Sequence, residues 1–250
     1  MELERWVQQA QTAYGVSPQQ LQFPFPSLGA VLREHLRRRP DKPFLISYTE
    51  DGERHQFTYA EFAERVLRTV ALLQQRGIRP GERVATAAHN HHDTIVQYFA
   101  AWVLGACVVP LNMTEEDSRL RYVLENSQAR FLFCREDYMH RLPHFCPDGV
   151  EVVPVYNDET CPDGFHSLIR RYEPAAIPEE NFWEQEALIV YTSGTTGLPK
   201  GVVLVQRNLF ADGYEIARWH GVGENTRMMC VLPVHHVNGI VVTHVTPFLV

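Results

Sequence analysis

Between Val84 and Cys134 the chain repeats one pattern, a short apolar run followed by a longer stretch of helical periodicity. Val84 to Ala88, Cys107 to Leu111 and Ala129 to Cys134 read as strands, and Thr94 to Leu104 and the residues after Thr114 read as the helices between them. Strands joined by single helices at this spacing run parallel, because the crossover helix returns the chain to the edge from which the previous strand started. The pattern predicts an α/β fold, doubly wound, with largely parallel sheets and flanking helices. Local signals set the surrounding elements. Ser27 is expected to cap a helix from Leu28 to about Arg39, with Leu28, Val31, Leu32 and Leu36 on one face and Pro40 ending it. Thr58 and Glu61 make a capping box for a long helix that stops at Gly77, and Thr114 with Asp117 makes a weaker one. Asp93 is the expected cap of the helix from Thr94. Phe44 to Tyr48 and His55 to Phe57 flank Glu50-Asp51-Gly52 and read as a hairpin.

From Phe145 to Glu186 the composition shifts to Pro, Asp, Glu and aromatic residues, with one strand-like insert at Val152 to Tyr156, which makes this stretch the expected boundary. Beyond it come a β-run from Leu188 to Thr192, a Gly/Thr-rich loop, a helix from Asn208 to about Trp219 and a strand from Met228 to Leu232. The last residues, Gly239 to Val250, are almost wholly apolar and lack a polar end, so the chain is expected to be a piece of a longer one.

Charge narrows the function classes. With 23 Lys+Arg against 30 Asp+Glu the formal net charge is -7, which argues against nucleic acid or an anionic membrane as partner. The one dense basic run, Arg37 to Arg39, suits a helix end facing solvent. No apolar stretch reaches the length of a membrane span, and the N-terminus lacks a secretory signal. The 5 cysteines are odd in number and irregularly spaced, as expected of free thiols in a reducing cytoplasm.

The chemistry concentrates in Tyr191 to Gly201, YTSGTTGLPKG. A buried strand leads into a loop with Ser193, Thr195 and Thr196 as small hydroxyl donors, Gly194 and Gly197 as flexible positions, and Lys200 as a mobile cation. Glycines allow successive backbone N–H groups to converge on an anion, and a lysine adds a point charge suited to phosphate. The NTPase pattern demands Gly-Lys-Ser/Thr, whereas Pro199 precedes Lys200 here and Gly201 follows it, which makes a kinase or GTPase a poor reading.

This loop resembles the signature of the adenylate-forming (AMP-binding) superfamily, in its acyl-CoA synthetase branch. Other segments extend the likeness: FTYAEFAERV from Phe57 to Val66, GACVVPLN from Gly105 to Asn112, and LPVHHVNG from Leu232 to Gly239, which is similar to the family's Pro-x-x-His-x-x-Gly segment. One departure is Val205-Gln206, where the family usually has a Thr-His pair before Arg-Asn-Leu. The resemblance implies the N-terminal part of the large domain of such an enzyme, with residues 1–180 as a first α/β lobe and 181–250 as the start of a second. It implies that a carboxylate attacks ATP to give an acyl-adenylate and pyrophosphate, and that coenzyme A then displaces AMP, a reaction of fatty acid or related acyl metabolism. Thr192, Ser193, Gly194, Thr195, Thr196, Gly197 and Lys200 would hold the ATP phosphates, with Lys200 catalytic, and His236 and Asn238 would line the acyl pocket. Mg2+ would find its ligands mainly beyond residue 250. The family's adenine, ribose and C-terminal lysine segments do not occur here, so these residues alone are expected to be inactive. Two other readings are an adenylation domain that loads a carrier protein and a non-catalytic module docking through its apolar C-terminal segment.

His89-Asn90-His91-His92-Asp93 offers three imidazoles and a carboxylate, but neighbouring residues of one regular element point apart, so no metal site is expected.

Overall fold

The computed structural model describes residues 20–49, 52–192 and 197–250. Its centre is a six-stranded sheet built from β3 (Arg83–Ala87), β4 (Cys107–Leu111), β5 (Phe131–Arg135), β6 (Glu151–Val155), β7 (Glu186–Thr192) and β8 (Lys200–Val205), in the order β6-β5-β3-β4-β7-β8. All pairs are parallel except β7 with β8. A separate antiparallel hairpin joins β1 (Pro43–Tyr48) to β2 (Arg54–Thr58); Glu50 and Asp51 of its expected turn lie outside the described residues.

Alternation along the strands divides the core into two layers. Val84, Val108, Phe131, Phe133 and Leu188 face a large cluster that contains α1 (Leu28–Arg38), α2 (Tyr59–Gln75) and α3 (His92–Leu104). Ala85, Ala87, Val109, Leu132 and Ile189 face a smaller cluster with Leu120, Val123 and Leu124 of α4 (Asp117–Ser127). Both faces are covered, as a parallel sheet requires. Ser27 caps α1 and the Thr58–Glu61 box starts α2, both as expected. Strands on either side of the stretch from Phe145 to Glu186 contribute to this one sheet, β7 pairing with β4.

Four local expectations are corrected. The residues from Met228 to Leu232 are not a strand: they pair with no strand of the sheet, and an apolar run without a neighbouring strand has no ladder to join. Met229 and Val231 are accordingly exposed. Thr114 does not cap α4, since its hydroxyl donates to Asn112 Oδ1 at 2.7 Å, while Asp117 accepts from Arg141. Asp93 is not the cap of α3 either; His91 is, its Nδ1 accepting the Asp93 amide at 3.2 Å, and the Asp93 side chain turns inward. The apolar C-terminal residues are not an exposed docking strip. They form a π-helix (Asn238–Val245) and a short helix (Thr246–Leu249) in which Ile240, Val241, Val245 and Phe248 are fully buried. This pair packs on α5 (Gln206–His220), where Gly213 leaves room for Leu249. Among the described residues no helix is long and apolar enough to cross a membrane.

Candidate functional site

The sheet presents its strand C-termini to a cleft of about 900 Å³. Asn90 and His91 follow β3, Asn112 and Met113 follow β4, Asp137 follows β5, and Tyr156 and Asn157 follow β6; all line it. The chain leaves β3 toward one face, through α3, and leaves β4 toward the other, through α4. Loops diverging in this way open a crevice between neighbouring strands, the usual ligand position in such sheets.

The Gly/Thr-rich loop connects β7 to β8, and its mouth is set by strand register. Thr192 is paired with Lys200 and Tyr191 with Gly201. Gly201 suits this pairing because a Cβ there would stand 3.1 Å from the Tyr191 ring. Tyr191 is anchored in turn, donating its hydroxyl to Asn126 Oδ1 at 2.7 Å. Gly197 has φ +116°, a conformation that favours glycine. Lys200 is exposed and forms no ion pair among the described residues. Ser193, Gly194, Thr195 and Thr196 lie outside the described residues.

Leu232 to Gly239 folds as a tight turn that runs into the π-helix. The His236 amide donates to the Pro233 carbonyl at 3.1 Å, and the Ile240 amide donates to the His236 carbonyl at 3.1 Å. Gly239 lies so close to Pro233 that a Cβ would sit 2.2 Å from its carbonyl oxygen, which explains the glycine of the Pro-x-x-His-x-x-Gly spacing. Asn90 clamps the turn from the β3–α3 loop: its Nδ2 donates to the Leu232 carbonyl at 2.8 Å and its Oδ1 accepts the Val234 amide at 2.9 Å. Burial, and the neighbouring His236, push His235 down to about 4, so it is neutral at pH 7.

Of the expected site residues, Thr192 and His236 are brought together. Both line a cavity of about 50 Å³ with Asn112, Glu115, Pro199 and His235. Lys200 stands at the loop mouth without lining that cavity, and Asn238 is exposed at the start of the π-helix. Asn112 and His235 border both this cavity and the larger cleft. Three contributors were not singled out from sequence, namely Asn90, Asn112 and the Tyr191–Asn126 bond. Asn90 carried a weak signal, an Asn just ahead of a helix start, but its partners are 142 and 144 residues away.

Known proteins share this fold. The structure resembles ATP-bound MatB from Rhodopseudomonas palustris, with a TM-score of 0.75 at 25% identity over 90% of this chain and 44% of that one. It has the fold of the O-succinylbenzoate coenzyme A synthetase MenE from Bacillus subtilis, with a TM-score of 0.71 at 22% identity over 88% of this chain and 52% of the other. In sequence it is 30% identical to a sulfoacetate–CoA ligase of Cupriavidus necator, over 90% of this chain and 44% of that protein. It is 31% identical to a crotonobetaine/carnitine–CoA ligase of Salmonella paratyphi B, over 79% and 40%. The chain thus spans less than half the length of these curated relatives. The model of the AMP-binding enzyme family matches residues 32–250, and the chain belongs to that family.

Proposed function

We propose that this chain supplies the phosphate-gripping and acyl-facing parts of an AMP-forming acyl-CoA ligase. The supporting observation is the juxtaposition of Thr192, at the mouth of the loop, with His236 of the Pro-x-x-His-x-x-Gly turn in one cavity. A carboxylate held beside His236 would have its oxygen directed at the α-phosphorus of an ATP whose β- and γ-phosphates are held by Thr192, Ser193, Gly194, Thr195, Thr196 and Gly197. Displacement at phosphorus needs alignment and charge neutralisation more than covalent help from the protein. Lys200 is assigned the second task, countering charge as pyrophosphate departs. His236 lines the acyl side, with Asn238 bordering it. Coenzyme A thiol attack on the acyl-adenylate then releases AMP.

The donor set at the loop, hydroxyls and one lysine, suits phosphate oxygens rather than a divalent cation, which prefers carboxylates and water. The Mg2+ that accompanies ATP is therefore assigned to other groups. The relatives are named for acids that are small and polar, so the acid panel should include short dicarboxylates and sulfo-acids beside fatty acids. The test is acid-dependent ATP–pyrophosphate exchange by the intact protein. Exchange is expected with at least one acid and should fall by about 10²-fold or more in Lys200→Ala, the scale for losing one charge-stabilising group. No exchange across the panel overturns the proposal. Supplying CoA or a phosphopantetheinyl carrier as acceptor distinguishes ligase from carrier loading. Residues 1–250 alone are expected to give no acyl-adenylate.

A further inference from the structure

His91, His92 and Asp93 each present a ligand atom, and these atoms all lie within 4.8 Å of one another at the head of α3. Consecutive residues inside a helix could not converge in this way. His91 escapes the restriction because it precedes the helix, with extended backbone (φ −154°, ψ 152°), and its ring folds back to stand 4.0 Å from that of His92.

Acceptor atoms crowd this cluster. His91 Nδ1 accepts the Asp93 amide at 3.2 Å, so it carries no proton, yet it faces Asp93 Oδ2, a second acceptor, at 3.2 Å. His92 Nδ1 stands 2.9 Å from Ser47 Oγ, and its Nε2 stands 3.6 Å from Asp93 Oδ1. Oδ1 is buried without a hydrogen-bond partner, and the Asp93 side chain is only 2% exposed. The Arg65 guanidinium comes no nearer to Oδ1 than 3.9 Å. Lone pairs buried face to face are unfavourable unless a cation lies between them. Two ligands of a tetrahedral ion, each about 2.0–2.1 Å from it, stand about 3.3 Å apart, near the spacing of each imidazole from the carboxylate, 3.2 Å for His91 and 3.6 Å for His92.

We propose that His91, His92 and Asp93 bind a divalent first-row transition ion, with Zn2+ the type that suits two imidazoles and a carboxylate. Partners one layer out hold the ligands in place, as they do around protein metals generally. Ser47 orients His92, and His166 Nε2, 3.0 Å from Asp93 Oδ2, orients the carboxylate while its Nδ1 faces Glu159 at 3.6 Å. All three ligands line the 900 Å³ cleft, which gives the ion its way in and leaves a coordination position for water. The site would pin the loop that also carries the Asn90 clamp.

Zn2+ titration by calorimetry and Co2+ titration by visible absorption test this on the chain itself. One ion per chain is expected, with Co2+ giving the intense bands of four-coordinate geometry. His91→Gln and His92→Gln should each weaken binding by about tenfold or more, with an unchanged far-ultraviolet circular dichroism spectrum, whereas the exposed His140→Gln should bind as the parent does. The His91 side chain is partly exposed, so His91→Gln decides the matter even if the buried His92 variant fails to fold. Absence of saturable binding up to about 1 mM metal, or binding that His91→Gln leaves intact, overturns the proposal.

Discussion

Gly239 has no room for a side chain. A Cβ would meet the Pro233 carbonyl oxygen at 2.2 Å and its carbon at 2.7 Å, and both are backbone atoms that a rotamer change cannot move. Gly239→Ala is therefore expected to lower stability by about 1–3 kcal/mol, read as a shift in the denaturant midpoint, and to reduce exchange activity by displacing His236. Gln206 illustrates a different constraint. It occupies the place where the family usually has His, and it is fully buried. Its Oε1 accepts the Leu28 amide at 3.2 Å and its Nε2 donates to the Trp102 carbonyl at 2.8 Å, joining α1, α3 and α5 through one group. An amide can donate and accept at once, which this position demands. Gln206→Leu should cost roughly 1–3 kcal/mol for each backbone group left unpaired; an unchanged midpoint would show that water replaces the side chain. The departure from the family pattern was visible in the sequence, but its structural use was not, since its partners are 178 and 104 residues away.

At the scale of elements, helix α1 is tied to the C-terminal helix by a histidine that has no spare lone pair. His35 Nε2 donates to the Phe248 carbonyl at 2.6 Å, and Nδ1 accepts from Arg39 Nε at 3.1 Å. Burial lowers its pKa to about 4, despite the favourable Phe248 carbonyl. Burial does the same to His244 in the π-helix, also to about 4, partly offset by the Gly239 carbonyl. In the unfolded chain both rings titrate near the ordinary 6.5, so between pH 6.5 and 4 the unfolded state binds more protons than the folded one. The stability these rings contribute is fully present above 6.5 and is lost as pH falls toward 4. The slope is at most about 1.4 kcal/mol per pH unit for each ring. Denaturant midpoints at pH 7 and pH 5 check this: the midpoint should drop at pH 5, and His35→Gln should flatten the dependence. Element existence was readable because caps and periodicity act over a few residues, as Ser27 and the Thr58–Glu61 pair show. Asp93 misled as a cap because its carboxylate is held inward by His166, on a separate helix 73 residues on.

Across the whole molecule, the C-terminal apolar run belongs to the core. Phe248 is fully buried, with ring centroids 4.7 Å from Phe99, 5.5 Å from Phe44 and 5.1 Å from His35. Phe248→Ala should cost about 3–5 kcal/mol; a change below 1 kcal/mol in the unfolding free energy, as for a surface residue, would mean that the segment is not packed as described. The net charge of -7 bears on the nucleotide in the same way. A field of that sign repels a polyanion, so under the proposed function the attraction for ATP is assigned to local groups such as Lys200, whose reach falls off within a Debye length of about 8–10 Å. By itself the sequence determined the order and kind of most elements, and it carries the donor types on which the proposed phosphate-binding reading of the loop rests, because those properties reside in a few adjacent residues. Only the tertiary structure decided that Met228 to Leu232 stays out of the sheet, that the apolar end is buried, and that Asn90, Thr192 and His236 meet around two adjoining cavities. Each of these depends on strand order and on contacts between residues far apart in the chain, whose energies are settled by packing as a whole.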